Sequence, residues 1–233
     1  MPYVHAAFHV AFTMLLARAP LSAQRPVVCI DPGHPSETAA GDVVQHGTTE
    51  VHVAWRVAQR LQILLERSGY RVCITKRAER QYVTNRERAG RANHAGAQLL
   101  VRLHCDAGAI RGFAVYYPDR TGTVAGVTGP SVDVRMRSRA AAESLHAGMA
   151  AALGDALSDR GVLTDSQTLV GSRQGALTGS IFSQVPVVLI EMVVLSDSSD
   201  AAFIKGDGGA ERMARAIAAG VQRYVPIAPL KEP

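Results

Sequence analysis

Four side chains in this sequence stand where chemistry could use them. His34 follows the apolar run VVCI through an Asp-Pro-Gly turn, His104 closes LLVRLH, Glu191 follows VPVVLI, and Glu50 opens a helix-like pattern. A carboxylate directly after five apolar residues is costly to bury without a partner. Two imidazoles and one carboxylate suffice as the protein set for a catalytic zinc, which keeps its fourth position for water. A second carboxylate beside that water would serve as general base. The residues alone leave other readings open. A histidine after a strand is often a hydrogen-bonded turn residue, and Glu191 could pair with an arginine. A glutamate in a first helical turn can serve the helix dipole, worth about 0.3–1 kcal/mol.

Competing constellations are weaker. His46 shares the His34 loop and could compete with it, His52 points away from Glu50 on a helix, and His94 and His146 lack an acidic or cysteine partner at ligand spacing. These are read as solvated or satisfied histidines, and His5 and His9 as part of a leader. The sequence contains no H-E-x-x-H, no G-x-S-x-G elbow and no C-x-x-C pair. Cys105 adjoins His104 on a strand, so their side chains diverge. Cys29, Cys73 and Cys105 lie far apart in or at the ends of apolar runs, and are expected as buried, inert thiols.

The elements that must hold these residues alternate between strand and helix patterns. PVVCID reads as a strand buried on both faces. Residues 49–68 read as a helix, with Ala54, Val57, Ala58, Leu61, Leu64 and Leu65 at three-and-four spacing and Gly69 as the stop. Residues 70–75, 98–105, 112–117 and 186–195 read as strands, and 85–95, 139–157 and 209–224 as helices. The stretches 121–131 and 164–180 read as long loops around a site. This alternation predicts an α/β domain, a three-layer α/β/α sandwich with a mostly parallel central sheet, where ligands gather at the carboxyl ends of strands.

Composition narrows the class further. The 233 residues, 47% hydrophobic and 19% charged, suit one globular domain with a sizeable core. The net charge is only +5, the arginines are scattered and aromatics make up 5%, so nucleic-acid binding is not expected. Residues 1–23 contain no acidic residue and end in Leu-Ser-Ala, which reads as a signal peptide and predicts export to the periplasm or the extracellular envelope. The catalytic domain is expected over 24–225 and a flexible tail over 226–233.

At the level of motifs the chain resembles the zinc-dependent N-acetylmuramoyl-L-alanine amidases of bacterial cell-wall turnover, typified by AmiC-type and CwlV-type enzymes. The resemblance runs from Pro26 to about Tyr224 through VVCIDPGHP, GTTEVHVAWRVAQRL, RERAGRANHAGAQLLVRLHCDA and VPVVLIEMVVLSDSSDAAFI. It implies a fold of the zinc-peptidase, phosphorylase/hydrolase-like kind. It also implies one zinc per chain held by His34, Glu50 and His104, with Glu191 as the catalytic glutamate. The implied reaction is hydrolysis of the amide between N-acetylmuramic acid and L-alanine in peptidoglycan, by a monomer whose protein activator, if it has one, is unidentified. Asp31 is expected either to fix the His34 loop or merely to cap the turn.

The chain departs from the family pattern at Pro35-Ser36, Arg102, Asp106, Met192 and Asp197. The segment between Tyr117 and Arg139 is too short for the long autoinhibitory helix of some relatives, which predicts an open site. Two rivals remain: a zinc peptidase or carboxypeptidase cutting within the stem peptide, and a catalytically silent wall-binding regulator.

Overall fold

The structure, a computed structural model, describes residues 25–38 and 41–227. The expected leader and the last six residues of the tail lie outside the described residues.

A central sheet of six strands organises the chain. In sequence they are β1 (Val27–Pro32), β2 (Arg71–Ile74), β3 (Leu99–Asp106), β4 (Phe113–Tyr117), β7 (Asp159–Thr164) and β8 (Val187–Val194). Their spatial order is β2-β1-β3-β8-β4-β7. Every pairing is parallel except β4 with β8. The expected three-layer α/β architecture is therefore present.

One face of the sheet is covered by α1 (Glu50–Arg67), α3 (Val132–Leu153) and α7 (Asp207–Tyr224). Leu61 and Leu65, Leu145 and Met149, and Ile217 and Val221 from these helices are fully buried with Val28, Ile30, Val101, Leu103, Val188 and Ile190 from the strands. Helix α1 begins as its sequence requires: Thr49 caps it by accepting the His52 backbone N–H, and its apolar spacing places Val57, Ala58 and Leu61 on the sheet.

The opposite face is covered more thinly, by α2 (Asn85–His94), α4 (Leu169–Gln174), α5 (Thr178–Ile181) and a small hairpin of β5 (Gly122–Val124) and β6 (Val127–Gly129). Helix α2 has a complete capping box between Thr84 and Glu87. Helix α6 (Ser198–Lys205) links β8 to α7.

Several expectations are corrected. Helix α3 starts at Val132, seven residues earlier than expected, because Ser131 caps it and accepts the Val134 N–H. The supposed loops 121–131 and 164–180 contain the hairpin and the short helices. β7 and α6 were not anticipated: β7 is an edge strand with one exposed and five half-buried residues, so it lacks an apolar run. Cys29 and Cys73 are not free thiols. They face each other in register across β1 and β2, with Cα atoms 4.4 Å apart, and form a disulfide. Cys105 alone is free, and buried.

Candidate metal centre and active site

The candidate residues sit on the thinly covered face, at the carboxyl ends of β1, β3 and β8. Strand β3 alternates so that Leu99, Val101, Leu103 and Cys105 enter the apolar core while Arg102 and His104 turn the other way. His104 pairs with Glu191 across β3 and β8. His34 lies just beyond β1, with a positive φ of 44°.

The loop that carries His34 is held by its backbone. Arg88 donates to the carbonyls of Pro32 (2.6 Å) and Pro35 (2.9 Å). Lys76 donates to those of Gly33 (3.3 Å), His34 and Glu79 (2.8 Å). Both cations are fully buried, yet carbonyls and charges surround them. Arg88 also pairs with Asp31 at 2.7 Å, and Arg102 contacts the other oxygen of the same carboxylate at 3.0 Å. Burial alone would raise the Asp31 pKa. The Arg88 and Arg102 charges and the Thr75 hydroxyl outweigh it and hold the group well below the usual carboxylate range. Asp31 thus fixes the His34 loop through Arg88, the first of the two roles expected for it.

Two glycines make the approach possible. A Cβ on Gly33 would lie 2.6 Å from the His104 ring, and one on Gly41, whose φ is +94°, would lie 2.6 Å from the His34 ring.

Glu50, the first residue of α1, reaches between the two imidazoles. Its Oε1 lies 2.8 Å from His104 Nδ1 and 3.5 Å from His34 Nε2, and accepts the Cys105 backbone N–H at 3.3 Å. The rings stand edge to face, with centroids 5.1 Å apart. Each of the three residues offers a ligand atom within 4.8 Å of the others, in the one such group among the described residues.

The remaining polar atoms are unusually bare. His34 Nδ1, His104 Nε2 and Glu191 Oε2 are buried without a hydrogen-bond partner. Burial first, and then the His104 charge, lower the His34 pKa to about 4 against the opposing pull of Glu50. The ring is therefore neutral, the form a metal binds. Burial and then the neighbouring Glu50 and Asp106 carboxylates push Glu191 well above the ordinary range. The arginine partner considered for Glu191 does not bond it among the described residues. A neutral imidazole, a second imidazole and a carboxylate, converging without a protein cation between them, fit a divalent metal.

These residues line a cleft of about 310 Å³, which Val43, Gln45 and Asp106 also border. A larger hollow of about 510 Å³ lies between β2 and α2, lined by Cys73, Glu87, Arg91 and His94 among others. No cluster of three ligand groups converges there, so size does not mark the chemistry. Three other histidines find separate partners: His46 bonds the Ser196 carbonyl (3.2 Å), His52 bonds Glu79 (3.1 Å) and His146 bonds Asp159 (2.8 Å), while His94 borders the larger hollow. Cys105 is no nucleophile, since burial pushes its thiol pKa upward.

Sequence reasoning missed Lys76 and Arg88, whose partners are mostly carbonyls. Arg102, a charge inside an apolar strand, was the signal that a buried acidic partner existed.

Comparison with known proteins adds an independent line. A family model described as N-acetylmuramoyl-L-alanine amidase matches residues 28–223. The amidase AmiC of Neisseria meningitidis is 26% identical, covering 89% of this chain and 55% of its own length. LytC of Bacillus subtilis is 27% identical, covering 84% of this chain and 35% of its own. This chain thus spans about half of one curated relative and a third of the other. Among solved structures, the amidase Ami1 of Mycobacterium smegmatis superposes with a TM-score of 0.70 at 22% identity, covering 86% of this chain and 96% of that one. The CwlV catalytic domain of Bacillus (Paenibacillus) polymyxa gives 0.69 at 22%, covering 87% and 99%. These two establish the fold.

Proposed function

Because the chain belongs to the N-acetylmuramoyl-L-alanine amidase family, we propose that it hydrolyses the amide between the lactyl group of N-acetylmuramic acid and the L-alanine of the peptidoglycan stem peptide. The observation that carries this reading is the convergence of His34, Glu50 and His104 beside a buried, unpartnered Glu191 oxygen. His34, Glu50 and His104 would hold one zinc ion, whose Lewis acidity would polarise the scissile carbonyl.

The chain's own groups do the rest. Glu191 Oε2, with no hydrogen bond to give up, takes a proton from the attacking water and returns it to the leaving nitrogen. The C–N bond breaks as the C–O bond forms; the lactyl carbon ends as a carboxylate and L-alanine as a free amine. Arg88 and Lys76 keep the His34 ring directed into the cleft through its backbone carbonyls.

We read the chain as exported. The Cys29–Cys73 disulfide supports this, since such bonds persist in oxidising compartments. No helix among the described residues is long and apolar enough to cross a membrane. The test is metal content together with mass spectrometry of sacculus digests, with and without a chelator. Release of intact stem peptides from glycan, lost on chelation and restored by zinc, is expected. Shortened stems still bound to glycan would point to a peptidase, and undigested sacculi to a silent wall-binding protein.

A further inference from the structure

The face that carries the candidate metal centre continues past Glu191. Glu191 pairs with Ala114 across β8 and β4, so the next side chain along the row is a single methyl group. Beyond it lies β7, where the register slips: Phe113 faces Asp159 but Val115 faces Val162. Arg160 and Gly161 therefore share the place opposite Ala114. The Arg160 guanidinium turns back toward the end of β3. Its Nη1 donates to Asp106 Oδ2 at 2.9 Å, and its Nη2 lies 3.4 Å from the Tyr116 hydroxyl.

This arrangement leaves an arginine at the edge of the cleft with donors to spare. Asp106 itself lines the cleft beside Glu191. The Arg160 side chain is 14% exposed and that of Asp106 33%, so the pair reaches solvent without lying on an open surface. A guanidinium carries five N–H donors in a planar fork that matches a carboxylate, and only two of its nitrogens are engaged here. Ala114 is fully buried with Tyr116 and Leu189, so the way from the cleft to that fork runs along Asp106.

We propose that Arg160 is a specificity-determining residue that receives a carboxylate of the substrate, with Asp106 as its partner when the cleft is free. The proposal rests on the amidase reading and extends it by orienting the substrate. A stem peptide joined through its N-terminus to a lactyl group carries its carboxylates on the amine side of the scissile bond. The peptide would therefore run past Asp106 toward Arg160 and β7, and the glycan toward the opposite end of the cleft beside α1. The departure at Asp106 gains a role: an incoming carboxylate must share the guanidinium with a resident one. This chain should discriminate less sharply for anionic peptides than a version with a neutral residue there.

The test is calorimetric binding of two stem peptides to the zinc-loaded protein, one with a free carboxylate on its second residue and one with a carboxamide there. The wild-type protein should bind the acid peptide about tenfold more tightly, the range of one charge-assisted hydrogen-bonded pair. Arg160→Gln should erase that preference while binding the carboxamide as before, and Asp106→Asn should widen it. Equal affinity of the wild type for both peptides overturns the proposal, as does a preference that survives Arg160→Gln. Should Arg160→Gln fail to fold, an unchanged preference in Asp106→Asn overturns it instead. Sacculus digestion is scored separately: failure of the wild type there removes the amidase reading, whereas the peptide preference stands or falls on binding alone.

Discussion

The two faces of the central sheet obey different rules. The face under α1, α3 and α7 is an apolar layer in which Leu61, Leu145 and Ile217 are fully buried. The other face buries Asp31, Lys76, Arg88 and Arg102 and leaves single oxygens of Glu191 and Asp165 without a partner. The first face supplies stability through area removed from water. The second spends part of that stability to hold charges where water would otherwise hold them. A site whose polar atoms are bare can accept a metal and a substrate; a fully satisfied one cannot.

The largest expected effect separates chemistry from stability on the polar face. Glu191→Gln should lower stem-peptide release by about 10²–10⁴-fold, the usual contribution of a general acid–base group. Zinc content should be retained and the melting temperature should not fall, because the change removes a buried carboxyl that has no partner. A melting temperature that collapses would mean that Glu191 is structural.

Next come two truncations that set the faces against each other. Arg88→Ala takes from Asp31 one of its two arginines and from the Pro32 and Pro35 carbonyls their arginine donor, and breaking a buried ion pair costs about 3–5 kcal/mol. It should weaken zinc binding as well as stability. Leu61→Ala should cost a similar 2–5 kcal/mol or so in denaturant melts, through the cavity it leaves. Zinc affinity of the molecules that remain folded should be unchanged. If Leu61→Ala weakened zinc binding as much as Arg88→Ala, the division between the faces would fail.

A sharper contrast lies between two buried aspartates of opposite sign. Asp31, flanked by arginines, has a lowered pKa, so its contribution is complete above the unfolded value near 4 and is lost as pH falls below it. Asp165 accepts the Leu177 N–H at 3.0 Å and meets the Ser180 hydroxyl, yet burial outweighs both and raises its pKa to about 6. Its folded form prefers the proton. Stability from this residue is therefore full below about 4, declines as pH rises to about 6 and stays low beyond, a difference on the order of 3 kcal/mol. Asp165→Asn should remove that decline and raise stability at pH 7, whereas Asp31→Asn should lower it. Urea titrations of both variants, carried from pH 8 down to about pH 2 so as to include the Asp31 range, would measure the two slopes.

How much was legible in the sequence follows the same division. Helix α1 declared itself through apolar spacing and the Thr49 cap, which placed Glu50 at its first position. Strand β8 declared itself as an apolar run, and Glu191 as the residue that breaks it. The clamp on the His34 loop left no trace, because a side chain bonded to carbonyls imposes no pattern on its partners. β7 was hidden by its half-exposed edge position, and with it Arg160. The disulfide was hidden for another reason: its cysteines become neighbours only once β1 and β2 align.

That covalent link closes a ring. Cys29 and Cys73 are 44 positions apart, and the chain between them includes the His34 loop and all of α1 with Glu50. Closing a loop of this length restricts the unfolded chain by about 4 kcal/mol on the entropic model. Two of the three candidate ligands therefore travel within one tethered segment, while His104 joins from outside it. Where the bond is reduced, the molecule loses that restraint on the segment that carries two of the candidate ligands, so assembly of this site is coupled to the oxidising power of its surroundings.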